Sequence, residues 1–89
     1  MSGSIGGVVV SHESAADLPA CLGAAVAAEG VTDIVVVDND SSDLSREVVL
    51  EVDDERVRLL TLSANTGFAG GCNRGFAALS DTCEWVAFL

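Results

Sequence analysis

Three short, β-branched apolar runs limit the folds open to this chain: Val8-Val9-Val10, Ile34-Val35-Val36-Val37 and Val57-Arg58-Leu59-Leu60-Thr61-Leu62. The middle run contains no polar residue, the pattern of a strand covered on both faces. Between the runs lie stretches of helical length and period. Ser14 predicts an N-cap for a helix beginning near Ala15, with Asp17 in the first turn favoured by the helix dipole. Pro19 is tolerated only inside that first turn. Leu18, Leu22 and Val26 share a face, with Cys21 and Ala25 beside them, and Gly30 closes the helix. Leu44, Val48 and Val52 repeat at i, i+4 and i+8 and predict a second helix over Ser42 to Val52. A third helix carries Cys72, Phe76 and Leu79 on one stripe, and Glu84 to Leu89 starts a fourth strand. Strands joined by helical crossovers imply a parallel sheet with right-handed connections. The expected fold is α/β, a Rossmann-like β-α-β-α-β-α-β parallel sheet with helices on both faces. Met1 to Ser4 reads as a disordered start or a cloning remnant, and residues 5–89 as one small domain or part of a larger one.

Charge narrows the partners. The formal net charge is -10, and all 4 cationic side chains are arginines. Such a chain repels nucleic acid and anionic lipid, so nucleic acid is not an expected partner. An anionic ligand would have to be held by backbone N–H groups, a helix N-terminus, a metal or one of those arginines. No apolar run approaches the ~20 residues that span a bilayer, and no basic region precedes an apolar core at the N-terminus. The expected location is the cytoplasm, the inner face of the membrane included. Cys21, Cys72 and Cys83 are odd in number, widely spaced and, with His12, not at zinc-ligand spacing. They read as buried small hydrophobes in a reducing compartment.

In open parallel sheets, ligands bind outside the carboxyl ends of the strands. Ser11-His12-Glu13, Asp38 to Asp43 and Asn65 to Gly71 all leave such ends. A P-loop requires a lysine this chain lacks, and a dinucleotide fingerprint requires its glycines after the first strand rather than the third. Asp38, directly on a strand end, is placed to accept from a base imide N–H or a ribose hydroxyl. The same segment, through Asp40, Ser42 and Asp43, is equally suited to an Asx-turn that caps the next helix. The stretch Asn65-Thr66-Gly67-Phe68-Ala69-Gly70-Gly71-Cys72-Asn73-Arg74-Gly75 is the densest in glycine. Gly67, Gly70 and Gly71 would let N–H groups at a helix N-terminus face a diphosphate, with Asn73 on a sugar or phosphate oxygen. Phe68 reads as a packing wedge, and Arg74 as either a cation near the ligand or a surface ion-pair partner. A tight strand-to-helix turn would need two such glycines; the stretch has more.

Taken together, Val8-Val9-Val10-Ser11, Ile34-Val35-Val36-Val37-Asp38-Asn39 with Ser41-Ser42-Asp43, and Asn65-x-Gly67-Phe68-Ala69-Gly70-Gly71-x-Asn73-x-Gly75 resemble successive blocks of the family 2 inverting glycosyltransferases, closest to the rhamnosyltransferase-like branch. The resemblance implies the N-terminal half of a GT-A fold, binding a UDP- or dTDP-sugar such as dTDP-rhamnose for transfer to a glycan or lipid-linked acceptor. It places Asp38 on the pyrimidine base, with Ser11 near the nucleoside and Glu13 and Asn39 among the nucleotide-sugar-binding residues. Asn65, Gly67, Gly70, Gly71, Asn73 and Arg74 would lie beside the diphosphate and sugar. His12 and Glu13 stand where the family usually has Tyr-Asn, and Asp40 falls at a variable position. After a strand like Trp85 to Leu89 the family places an Asn-Pro-Asp or D-x-D element that holds Mg²⁺ or Mn²⁺. The sequence ends before that element, so a fragment is expected, inactive alone and self-associating through the apolar edge of its last strand. The alternative is a non-catalytic Rossmann-like nucleotide-binding or interaction module.

Overall fold

The computed structural model describes residues 5–79 and the backbone of 85–88. The elements run β1 (Ile5–Ser11), α1 (Leu18–Ala27), β2 (Val31–Asn39), α2 (Ser45–Leu50), β3 (Val57–Leu62), α3 (Gly67–Ala78) and β4 (Trp85–Phe88). The strands form one parallel sheet in the order β3-β2-β1-β4. The chain steps outward from β1 to β3, then returns past both strands to place β4 on the far side of β1. With right-handed connections, this reversal puts α1 and α2 on one face and α3 on the other. The α/β expectation holds, and the carboxyl end of β1 flanks the point where the winding reverses.

Each strand feeds two cores, because successive side chains leave opposite faces. Val9, Ile34 and Val36 meet Leu18, Leu22, Ala25 and Val49 under α1 and α2. Val8, Val35 and Val37 lie under α3, with Val10, Leu60, Leu62, Ala78 and Leu79 packed around them. Ile34 to Val37 is buried throughout, which explains a run with no polar residue.

The helices depart from the sequence reading in instructive ways. α1 begins at Leu18 rather than Ala15, because the Ser14 hydroxyl donates to the His12 carbonyl instead of capping. Asp17 is therefore the N-cap residue, without a side-chain cap bond, and Pro19 falls in the first turn as required. α2 is shorter than expected, and its buried positions are Ser45 and Val49. Leu44, predicted on the buried face, is 67% exposed, because the preceding loop is tied across to β1 and delays the helix. Cys21 and Cys72 are half-buried rather than fully buried; Cys83, Glu84, Leu89 and the start of the chain lie outside the described residues.

α3 brings the largest correction. The glycine stretch is helix from Gly67 onward, and its inward face is Gly71 and Gly75. A Cβ on Gly75 would lie 2.3 Å from Val8 Cγ1 and 3.0 Å from Val37 Cγ2; one on Gly71 would lie 2.7 Å from Val10 Cγ1. Their absence lets the helix backbone rest directly on the sheet. Phe76, one position round, is turned outward and 57% exposed; Phe68 is 64% exposed and is not a wedge.

Candidate functional site

The three predicted segments do meet on one rim, and hydrogen bonds stitch them together. His12 Nδ1 lies 2.8 Å from the Asn39 carbonyl. A carbonyl only accepts, so this ring nitrogen carries the proton. Glu13 holds a left-handed backbone at φ 52, unusual for a residue with a long side chain. Its carboxylate accepts from the Ser42 N–H (2.8 Å), the Asp43 N–H (3.0 Å) and the Ser42 hydroxyl, and its own N–H donates to Ser41 Oγ (3.0 Å). The Ser42 hydroxyl and N–H hold the Glu13 carboxyl below its ordinary range. Asp43 in turn accepts from Ser45 and from the Ala15 N–H, and Ser14 N–H donates to Ser45 Oγ. Of the capping candidates, Asp43 thus holds the start of α2, while Asp40 is exposed at φ 59.

Asp38 is different. It sits at the end of β2, 1% exposed, opposite Ser11 in the β1 register. Its Oδ2 accepts from Arg46 Nε at 2.7 Å and from the Ser41 N–H at 3.1 Å. Burial pushes its pKa up, but the bonds from Ser41 and Arg46 outweigh this and hold it below the ordinary carboxylate range. Its Oδ1 and the Ser11 hydroxyl are both buried with no partner among the described residues. Unpartnered buried polar atoms are uncommon and costly, and here two occur on neighbouring strands at their carboxyl ends. Sequence reasoning put Asp38 and Ser11 at these strand ends, where the structure has them, but did not single out Arg46. The available signal was an arginine in the first turn of the helix that follows the strand-end acid.

Asn39, also a predicted ligand residue, is engaged structurally. Its Nδ2 donates to the Gly67 carbonyl (2.9 Å), and its Oδ1 accepts from the Thr66 N–H and hydroxyl (2.9 and 3.1 Å). Asn65 Oδ1 accepts from the Gly67 N–H at 2.9 Å. These bonds fix the start of α3, where Gly67 takes φ +76 and Gly70 leaves room for the Thr66 side chain. The first-turn N–H groups of α3 lack intrahelical acceptors, and that of Gly67 is taken by Asn65. Asn73 and Arg74 are exposed further along α3, and neither bonds to the rim.

Three arginines are paired: Arg46 with Asp38, Arg56 with Asp54, and Arg58 with Asp33. Arg74 is the one left without a partner among the described residues. No group of three His, Cys, Asp or Glu side chains among them could hold a metal. The rim carboxylates face N–H groups, hydroxyls and Arg46 instead, so the described residues do not fit a resident divalent cation. No described helix is long and apolar enough to cross a membrane.

Comparison with known proteins matches the sequence to a family. Residues 8–89 match the model of glycosyl transferase family 2. The chain is 39% identical over 83 residues to the succinoglycan biosynthesis protein ExoO of Rhizobium meliloti (strain 1021), covering 92% of this chain and 23% of that protein. It spans about a quarter of the length of that relative. From its fold, its rim and the match over nearly all its residues, the chain belongs to glycosyl transferase family 2.

Proposed function

We propose that this chain forms the donor-binding part of a glycosyltransferase, with Ser11 and Asp38 seating the nucleobase of a nucleoside-diphosphate sugar. The observation that carries the reading is the buried pair of unpartnered atoms, Asp38 Oδ1 and Ser11 Oγ. An ionised carboxylate only accepts, so Asp38 selects a base that presents a donor. Uracil and thymine present an imide N–H; cytosine has a bare ring nitrogen at that place. UDP- and dTDP-sugars are therefore the favoured donors, and the resemblance to the rhamnosyltransferase-like branch makes dTDP-rhamnose one of them. We assign the diphosphate to the N-terminus of α3, where the helix dipole suits an anion, although the Thr66 and Gly67 N–H groups there are already bonded to Asn39 and Asn65. Gly70, Gly71 and Asn39 shape that end of the helix, and Asn73 and Arg74, exposed further along α3, are assigned to the sugar side. Glu13 acts indirectly, by holding the loop that carries Ser41 and Asp43.

Transfer with inversion would proceed by in-line attack of an acceptor hydroxyl on the anomeric carbon, the acceptor being a glycan or lipid-linked sugar. The relative's role in succinoglycan biosynthesis favours a polysaccharide product. Family 2 enzymes generally use a divalent metal, which supplies charge stabilisation for the leaving diphosphate. We assign its Mg²⁺ or Mn²⁺ ligands and the acceptor base to residues of a longer parent, and the isolated 89-residue chain is expected to transfer no sugar.

Calorimetric titration of the full-length protein with UDP and dTDP tests the seat. Both should bind, and Asp38→Ala should weaken them about 10- to 100-fold, the value of a hydrogen bond to a charged group. Unchanged affinity in Asp38→Ala would remove the base contact.

A further inference from the structure

We propose that Arg46 is a positioning residue of this seat, fixing which oxygen of Asp38 is offered to the nucleobase and thereby setting the preference for uracil or thymine over cytosine. This rests on the reading of Asp38 as the base acceptor. A free carboxylate can rotate about its terminal torsion and exchange its two oxygens. At Asp38 both donors, Arg46 Nε and the Ser41 N–H, fall on Oδ2. Oδ1 receives none and lies on a strand whose register partner is Ser11, the other unpartnered polar residue. The guanidinium also acts on charge. Burial alone would favour the protonated acid, but the Ser41 and Arg46 bonds keep Asp38 ionised. A protonated carboxyl would donate as well as accept and would tolerate cytosine; an ionised one would not.

Other ionisable groups surround the pair. Asp40 lies 3.9 Å from Arg46 Nη2, and Glu47 is the next residue along α2. On the loop after β1, His12 is bonded to the Asn39 carbonyl and Glu13 to Ser42 and Asp43. Asp43 is bonded to Ser45. Arg46 is the cation bonded to Asp38, and its side chain is 36% exposed, so its replacement leaves no buried group stranded on α2.

The test is calorimetry with UDP and CDP on the full-length protein between pH 5 and 8, comparing wild type, Arg46→Met, Arg46→Lys and Asp38→Ala. Wild type should hold UDP with an affinity that is flat over this range and prefer it to CDP. Arg46→Met should weaken UDP about ten-fold, consistent with losing one charged hydrogen bond. It should narrow the preference over CDP and lose UDP progressively as pH falls toward 5. Arg46→Lys should restore the flat profile in part, because it returns the charge without the guanidinium geometry. Should Arg46→Met not fold, as judged by circular dichroism, Arg46→Gln takes its place. An Arg46 variant with unchanged UDP preference and pH profile, while Asp38→Ala weakens UDP, would overturn the role of Arg46 and leave the seat standing. Unchanged UDP affinity in Asp38→Ala would overturn the seat, and the role of Arg46 with it.

Discussion

Asp38 and Glu13 show how differently two carboxylates on one rim can be used. Glu13 is saturated by the loop across from it, whereas Asp38 keeps one buried oxygen unpartnered. Both titrate below their ordinary values, as do Asp43 and Asp54, the last reaching about 2. The sign of the pH effect follows. A depressed native pKa means that the unfolded chain binds more protons, so stability is complete above the unfolded values, near 3.8 for aspartate, and is lost as pH falls through the native ones. Melting temperature should hold between pH 7 and 5 and fall steeply from about 4 toward 2, where carboxylates protonate. Relief of the acidic self-repulsion works the other way, but it is spread over a screened surface. A melting temperature that rises below pH 4 would contradict the assigned bonds. Asp38 was legible in the sequence because a strand end locates it. Arg46 was not, because the pairing depends on the path of a loop that Glu13 fixes from another strand. Asn39 was legible as a rim residue, but its task is to hold Thr66 and Gly67.

At the level of elements, α3 turns on two glycines. Adding a methyl group at Gly75 drives it into Val8 and Val37 on the sheet beneath. Overpacking of this kind costs about 1–3 kcal/mol, and Gly75→Ala should lower stability in urea by that amount. Gly23, in α1, has nothing within 4 Å of an added Cβ. Gly23→Ala should raise stability by about 0.5–1 kcal/mol, the ordinary helix preference for alanine. Equal effects at the two positions would show that α3 does not rest on the sheet as described. The stretch stood out in the sequence by its glycine content alone. Whether those glycines serve a ligand or a neighbour depends on Val8, Val10 and Val37, which no local pattern reveals. The same packing takes Phe76 out of the expected stripe and puts Gly75 within, while Leu79 of that stripe still packs against the core.

At the scale of the molecule, the parallel sheet with helices on both faces was readable from apolar runs and crossover lengths, because those follow from general rules of chain winding, whereas the strand order β3-β2-β1-β4 came from the structure. Among the described residues the outer side of β4 has no strand neighbour, and an unpaired edge is a template for pairing. Concentration-dependent self-association of the 89-residue chain is expected in sedimentation velocity, and a single monomeric species at high concentration would contradict it. On the proposed reading recognition begins at the base, because the rim is acidic and three of the arginines among the described residues are already paired. The most direct measurement is therefore a titration of the full-length protein with UDP and with its N3-methyl derivative, in which a methyl group replaces the imide hydrogen assigned to bond Asp38 Oδ1. UDP should bind at least ten-fold more tightly, the smallest value of a hydrogen bond to a charged group. Equal affinities would show that Asp38 and Ser11 do not form the nucleobase seat.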